Sequence, residues 1–493
     1  MEQSWHEQLN VIQESLPFFV PELILSILFL LLIVVGLLKA NRAVLLAVAV
    51  AGFSLTLSLV AVAMSDEFAI LFNGAITVDG LSSYLKMLID IAGIFTCVLF
   101  VTPKNGPRSE YLALVTAVIL GGHILVMSNN FLLLFLSLEL ISLASYVLAG
   151  FSFDKKGSEG SLKYFLFGAT ASAVMLYGFS LLYGFTGTLN FSEEQFFRIL
   201  LNEDSPLILI GSFMVLAGLF YKITAAPMHL WVPDVYEAAP IPVIAFFSVV
   251  PKLAGFGILI KFILAIHLFG QSPYDWQTVL ALVSILTITV GNFSALVQTN
   301  AKRMMAYSSI AHSGFLLVGV SALLPEGIHF MLFYASIYLV MNFLVFSYLD
   351  RFDSLGVSTI KAFSGAGKKF PFSMVMMLVG LISLTGLPPT AGFTAKLFVF
   401  SGLWESFQIS HKPILIWLFV FGLLNTAVSL FYYLRIPWLA FLREPSGAVG
   451  FPERNRGAVS PNLFGLILVL IVLGLFFMPA LLMGWINKIN FVQ

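Results

Sequence analysis

Glu139, Lys222, Lys252 and Lys396 each interrupt a long apolar stretch of the chain. A charged group at the centre of a bilayer costs at least about 2.5–3.5 kcal/mol, and such groups line ion paths or pair with one another. Glu139 stands in Leu132-Leu133-Leu134-Phe135-Leu136-Ser137-Leu138-Glu139-Leu140, about 13 Å into its stretch at ~1.5 Å per residue. Lys222 is flanked by Phe220, Tyr221 and Ile223, and Lys252 follows Pro251 near the middle of another stretch. One carboxylate and three amines at similar depth, in separate stretches, are the groups from which a proton relay is built. A Glu139–Lys222 pair would act as a switch, because a third charge beside it changes which partner holds the proton.

Each residue also has a plainer reading. Glu139 is then a hydrogen-bonded structural carboxyl, and Lys222 its static ion-pair partner. Snorkelling to the interface is the plain reading of Lys252 and Lys396, and the preferred one for Lys261, which is closer to a helix end. Gly392 and Thr394 would border a water-filled exit beside Lys396. His312, in Tyr307-Ser308-Ser309-Ile310-Ala311-His312-Ser313, has the chemistry to pass protons near neutral pH, or packs as a hydrogen-bonded ring. Lys163 is an interface lysine or a cytoplasmic proton inlet. His229 and Asp234 form an inlet funnel or only a capped turn.

These residues need long apolar elements to hold them. The 493 residues are 59% hydrophobic and 10% charged, with mean hydropathy +0.98. Soluble domains carry about 25% charged residues, so the solvent here is lipid. With a ruler of about 20 apolar residues per crossing, spans fall at 21–38, 43–64, 80–101, 110–128, 130–150, 161–185, 206–232, 240–268, 277–299, 302–323, 327–349, 372–403, 413–440 and 461–485. The expected fold is an all-α polytopic membrane bundle of about fourteen transmembrane helices. Lys39-Ala40-Asn41-Arg42, Ser128-Asn129-Asn130, Gly270-Gln271-Ser272-Pro273 and Pro325-Glu326-Gly327 separate spans.

Loop charge alternates with the spans. One set of loops holds Lys39, Arg42, Lys104, Arg108, Lys155, Lys156, Lys302, Arg303, Arg351, Lys361, Lys368, Lys369, Arg435, Arg443, Arg454 and Arg456. The alternate set holds mainly Asp66, Glu67, Asp79, Glu193, Glu194, Glu203, Asp204, Asp275 and Glu405. The positive-inside rule then puts both termini on the non-cytoplasmic side. The acidic loop with Asp234 and Glu237 is out of character for a cytoplasmic one.

Pro227 in span 7 and Pro388-Pro389 in span 12 predict two broken helices. They lie five spans apart and cross in opposite directions, which predicts inverted repeats of spans 4–8 and 9–13. The expected division is 1–109 (three N-terminal helices), 110–268 (first repeat), 269–441 (second, inverted repeat) and 442–493 (cytoplasmic loop and last helix).

Other chemistries lack their residues. A net charge of zero makes no case for nucleic acid. Cys97 alone cannot form an internal disulfide or an iron–sulfur cluster. No Walker lysine or zinc spacing occurs, and His6-Glu7 has no second histidine four positions on. No cofactor is therefore expected on this chain. The N-terminal stretch carries Glu2, Glu7 and Glu14 rather than the basic start of a secretory signal, so the first apolar segment is expected to remain in the mature protein.

The stretch KITAAPMHLWVPDVYEAAPIPVIAFFSVVPK (222–252), KRMMAYSSIAHSG (302–314) and GLPPTAGFTAKL (386–397) together resemble the antiporter-like membrane subunits of respiratory complex I, the proton-pumping NADH:quinone oxidoreductase. PMHLWVPDVYEAAP is highly specific for that superfamily, and the similarity runs from about span 3 to span 14. LKYFLFGATASA, YGFTGTLNF, Lys396 where M-like chains tend to carry glutamate, and an end soon after span 14 resemble the N type (subunit 2). The resemblance implies a proton-translocating subunit of a bacterial inner membrane. Glu139 and Lys222 would be the acid and lysine of a first half-channel, Lys252 the connecting lysine, and Lys396 the terminal residue of the second. It also implies M-like and K-like neighbours and a quinone bound elsewhere in the assembly. Met228 and Ala238 depart from the family's usual phenylalanine and glycine without touching the ionisable set. A subunit of a multi-subunit cation/proton antiporter is the alternative within the superfamily. A secondary transporter for a small solute fits the broken helices but explains the row of charges poorly.

Overall fold

The computed structural model describes residues 10–64, 68–100, 109–202, 205–267, 273–444 and 461–489. Glu2, His6, Glu7, Asp66, Glu67, Lys104, Arg108, Glu203, Asp204, Arg454, Arg456 and most of the Gly270–Pro273 turn lie outside them. The first apolar stretches form α1 (Val20–Leu37), α2 (Arg42–Ala63), α3 (Gly80–Leu99), α4 (Ser109–Met127), α5 (Phe131–Ala149) and α6 (Lys155–Thr186). An amphipathic α7 (Glu194–Asn202) precedes α8 (Pro206–Lys222), α9 (Val232–Ala238) and α10 (Ile241–His267). Then come α11 (Trp276–Leu296), α12 (Ala301–Ser321), α13 (Pro325–Asp353), α14 (Pro371–Thr385), α15 (Ala391–Ser410), α16 (Pro413–Leu442), α17 (Pro461–Phe477) and α18 (Ala480–Ile486).

Eleven helices among the described residues are long and apolar enough to cross a membrane, or twelve if the bent pair at the C-terminal end is one span. The expected count was higher because it included spans 206–232 and 372–403, which the structure divides into shorter pieces. The bent pair, α17 and α18, meets at 83°. Pro479 sits at that corner, where a missing N–H and a ring clash stop the helix. This third interruption was not expected. Neither was the antiparallel hairpin of β1 (Ala69–Leu71) and β2 (Ile76–Val78), turned through the left-handed residues Phe72, Asn73 and Gly74.

The two expected breaks share one geometry. α8 ends with Ala225 N–H bonded to the Phe220 carbonyl at 2.8 Å, and α14 ends with Leu387 N–H bonded to the Ile382 carbonyl at 3.3 Å. These six-residue closures satisfy carbonyls that a helix end leaves open. Each break has one left-handed residue, Thr224 (φ 62°) or Gly386 (φ 85°), and a cis X-Pro bond follows, at Ala226-Pro227 or Pro388-Pro389.

The flanking helices repeat too. Asn130 caps α5 through Leu132 and Leu133, and Asn300 caps α12 through Lys302 and Arg303. Asn130 forms an isolated bridge with Asn190, beyond α6, while Asn300 bridges Thr359, beyond α13. The same turn chemistry therefore opens α5 and α12. α10, α12 and α13 are buried nearly throughout, while α1, α2, α6 and α16 present most of their apolar surface outward. Helices that are apolar all round suit both places.

Candidate functional site

The buried amines gather at the ends of the two half-helices. Lys222 closes α8, where unpaired carbonyls form the negative end of the helix dipole and favour a cation. Its Nζ donates to Ser142 Oγ at 3.0 Å. Lys396 is carried by α15 but reaches back to the matching point of the other half, donating to the Thr385 carbonyl at 2.7 Å. Thr385 is the last residue of α14. Gly386 follows it, and a Cβ there would stand 2.7 Å from Lys396 Cδ, so the lysine stem lies where a side chain is missing. The ammonium also lies 4.3 Å from the centre of the Phe315 ring, a cation–π contact.

Glu139 and Lys222 form no direct ion pair. Glu139 is half-buried and accepts a 2.5 Å hydrogen bond from Ser172 Oγ on α6. Ser142, one turn along α5, holds Lys222 instead. The expected pair is thus an acid on α5 and an amine at the end of α8 that meets the next turn of α5, coupled through space.

Lys252 is the most enclosed of the amines. Its Nζ donates to the Ser309 carbonyl at 2.6 Å, to Ser309 Oγ at 2.7 Å and to Ser313 Oγ at 2.9 Å. Three donors meet three acceptors, so this lysine does not snorkel. Ser313 also contacts Thr224, the left-handed residue of the first break, at 3.1 Å. Ser309 contacts the Tyr338 hydroxyl at 2.9 Å and the Tyr236 hydroxyl at 3.4 Å. One helical turn on, His312 is held by Tyr334 at Nδ1 (2.7 Å) and Tyr433 at Nε2 (3.1 Å), and Tyr433 bonds to Ser308. His312 lies within electrostatic reach of both Lys252 and Lys396.

The structure therefore brings Glu139, Lys222, Lys252, His312 and Lys396 into one row, and leaves Lys163 and His229 beside it. Lys163 pairs with Asp234 at 2.9 Å and Glu159 at 2.9 Å. Arg303 pairs with Asp234 at 2.7 Å and Glu237 at 3.0 Å. The acidic loop is thus explained: it faces the basic ends of α6 and α12 across a cavity of about 270 Å³. His229 is buried in the turn of the first break.

Two expectations change. Lys261 does not snorkel; it is buried and lies 3.2 Å from Asp79. Gly392 packs closely on the end of α14, since a Cβ there would stand 1.8 Å from the Ser383 carbonyl. The space beside Lys396 is an apolar cavity of about 370 Å³ walled by Phe393, Leu397, Phe400 and Trp404. The sequence alone sets Ser308 and Ser309 beside His312 but does not single out the hydroxyls of Ser142, Ser172, Thr224, Ser313, Tyr334, Tyr338 and Tyr433. Hydroxyls on apolar helices also serve as interhelical glue, so only their placement singles them out.

The fold and its row of buried amines define a polytopic, antiporter-like membrane protein with paired half-helices. Residues 128–426 match the family model described as NADH:quinone oxidoreductase/Mrp antiporter, TM. NADH-quinone oxidoreductase subunit N 2 of Chloroherpeton thalassium is 36% identical over 96% of this chain and 94% of its own length. Subunit N of Chlorobium chlorochromatii is 37% identical over 95% of this chain and 94% of its own. A chain of respiratory complex I from Thermus thermophilus superposes with a TM-score of 0.79 at 30% identity, over 95% of this chain and all of that one. The chain belongs to the NADH:quinone oxidoreductase/Mrp antiporter transmembrane family, on its NADH-quinone oxidoreductase subunit N branch.

Proposed function

We propose that this chain is a proton-translocating membrane subunit of an NADH:quinone oxidoreductase, and that protons move along Glu139, Lys222, Lys252, His312 and Lys396. The observation that carries the route is the continuous contact Thr224–Ser313–Lys252–Ser309, which joins the first half-helix end to the centre. A charge change at Glu139 alters the field on Lys222, whose ammonium is held by Ser142 on the next turn of α5. Lys222 gives up or takes a proton, and Lys252 passes the change through Ser309 and His312 toward Lys396. Ordered water completes the gaps that direct contacts leave.

Lys163 and His229 belong to the periphery of this route, at the cytoplasmic inlet beside Asp234. The matching breaks and caps support the division into 1–109, 110–268, 269–441 and 442–493. The chain holds no cofactor of its own; redox chemistry and quinone binding lie elsewhere in the assembly. Half-buried Glu139 lies on a face with exposed Leu136 and Leu143, so a neighbouring membrane subunit, M-like or K-like, is needed to cover the carboxyl. The relatives support a bacterial inner membrane, with both termini on the non-cytoplasmic side by loop charge.

The test is Lys222→Ala in the assembled complex, reconstituted in vesicles. Assembly should persist while pumping-coupled turnover is lost; wild-type pumping rates would reject the route. Sodium-dependent transport without NADH would favour the antiporter alternative.

A further inference from the structure

A second group of ionisable side chains is buried away from the row. Glu22 on α1, Lys86 and Asp90 on α3, and His123 on α4 are all withdrawn from solvent. They alternate in sign. Lys86 Nζ lies 2.7 Å from Glu22 Oε1, the same oxygen lies 3.1 Å from His123 Nδ1, and His123 Nε2 lies 3.2 Å from Asp90 Oδ1. Both ring nitrogens of His123 thus face a carboxylate. Thr56 of α2 is a further polar side chain beside Asp90, and Glu22 Oε2, His123 Nε2 and both Asp90 carboxylate oxygens have no aligned hydrogen-bond partner among the described residues.

Charge counting defines what this group does. Charged Lys86 balances one carboxylate. The group reaches neutrality only with one further proton, and with Lys86 against Glu22 at 2.7 Å that proton resides on His123 or Asp90. Burial demands that neutrality. The proton has two homes whose atoms lie 3.2 Å apart without hydrogen-bond alignment; once a rotation of the ring or the carboxyl aligns them, the Nε2–H bond breaks as the Oδ1–H bond forms, with no change in net charge. A purely structural ion pair needs one acid and one base, not this doubled, alternating set.

The group has an outward connection, and on its inner side it lies level with the row. Asp79 caps α3 and lies 3.2 Å from Lys261 of α10, which is within electrostatic reach of Lys86. Asp90 is eleven residues along α3 from that cap, about 16 Å deeper. α3 and α10 run antiparallel. A Cβ on Gly257 of α10 would meet Leu85, and one on Gly122 of α4 would meet both Ile89 and Ala254. That register sets Lys252 level with Asp90, as it sets Lys261 level with Asp79.

We propose that Asp90, His123, Glu22 and Lys86 form a proton-holding branch of this chain, leaving the central row at the depth of Lys252 and ending at Asp79–Lys261. Water at the membrane face that holds Asp79 takes the released proton. The branch rests on the relay proposed above.

Asp90→Asn and His123→Gln in the reconstituted complex test it, with NADH oxidation and protons released per NADH read together. Assembly and NADH oxidation should persist, and the proton ratio should fall by the same amount as in Lys252→Met; Asp90→Glu should restore it. A wild-type proton ratio in both variants while Lys222→Ala abolishes pumping overturns the branch alone. Wild-type pumping in Lys222→Ala as well overturns the relay beneath it. Should either single variant fail to assemble, the charge-balanced double variant Glu22→Gln, Lys86→Met replaces it, with the same lowered ratio expected. If that fails too, a complex that keeps the whole group and carries only His312→Asn decides. A histidine-labelled band in the turnover-induced infrared difference spectrum must persist in His312→Asn, and its absence overturns the branch.

Discussion

Lys396 donates a 2.7 Å hydrogen bond to the carbonyl of Thr385, eleven residues earlier and across the break. Lys222 reaches the equivalent place by being the last residue of its own half-helix. Two different sequence solutions thus put an ammonium at the negative end of a half-helix in each unit. Gly386 makes the second solution possible. In Gly386→Ala the left-handed backbone costs about 1–2 kcal/mol, and the new Cβ pushes on the Lys396 stem. Thermal unfolding of the assembled complex should shift downward, and vesicle acidification should fall more than NADH oxidation does.

Lys252 depends on Ser309 and Ser313 for its acceptors. Ser313→Ala removes one acceptor and the link to Thr224. A buried donor left unsatisfied costs about 1–3 kcal/mol. Pumping should slow about tenfold, which corresponds to ~1.4 kcal/mol of barrier. Ser313→Thr, which keeps the hydroxyl, should recover most of the rate.

His312 sits between two phenols, so its ring is oriented whether or not it carries the extra proton. His312→Asn keeps hydrogen bonding but cannot hold that proton at neutral pH. Proton release should drop in the assembled complex, while the quinone-reducing step, measured with the membrane made leaky, should keep much of its rate.

The cytoplasmic cluster gives a pH prediction. Burial opposes the charge on Asp234, but hydrogen bonds from Lys163 and Arg303 outweigh it and hold the carboxyl below the usual carboxylate range. A depressed carboxyl stabilises the fold above its unfolded value, near pH 4, and loses that contribution as pH falls through its folded value. The side chain is about a third exposed, so solvent screening limits the effect to less than about 1 kcal/mol. Asp234→Asn should lower the neutral plateau of a stability profile recorded from pH 8 to pH 3 by that small amount and flatten its acid limb, so that the two profiles converge near pH 3.

The span pattern and both breaks were legible because apolar length and proline act locally. Glu139, Lys222, Lys252 and Lys396 were legible because a charge amid leucines has few explanations. The lack of contact between Glu139 and Lys222 was not legible. It depends on which face of α5 each turn presents, so Ser142 takes the amine and Ser172 the acid. Lys261 was misread because distance from a helix end does not reveal Asp79 waiting on another helix. Glu22, Lys86, Asp90 and His123 carried the same signal as the row, an ionisable residue inside an apolar span. Lys86 and Asp90 even stand one turn apart, but their meeting with Glu22 and His123 is a tertiary fact.

The central claim is that charge crosses this chain through Lys252. Its direct test is the ratio of protons released to NADH oxidised by the Lys252→Met complex in sealed vesicles, with assembly verified by mass. A ratio well below the unmodified complex is predicted; an unchanged ratio at unchanged turnover would contradict the account.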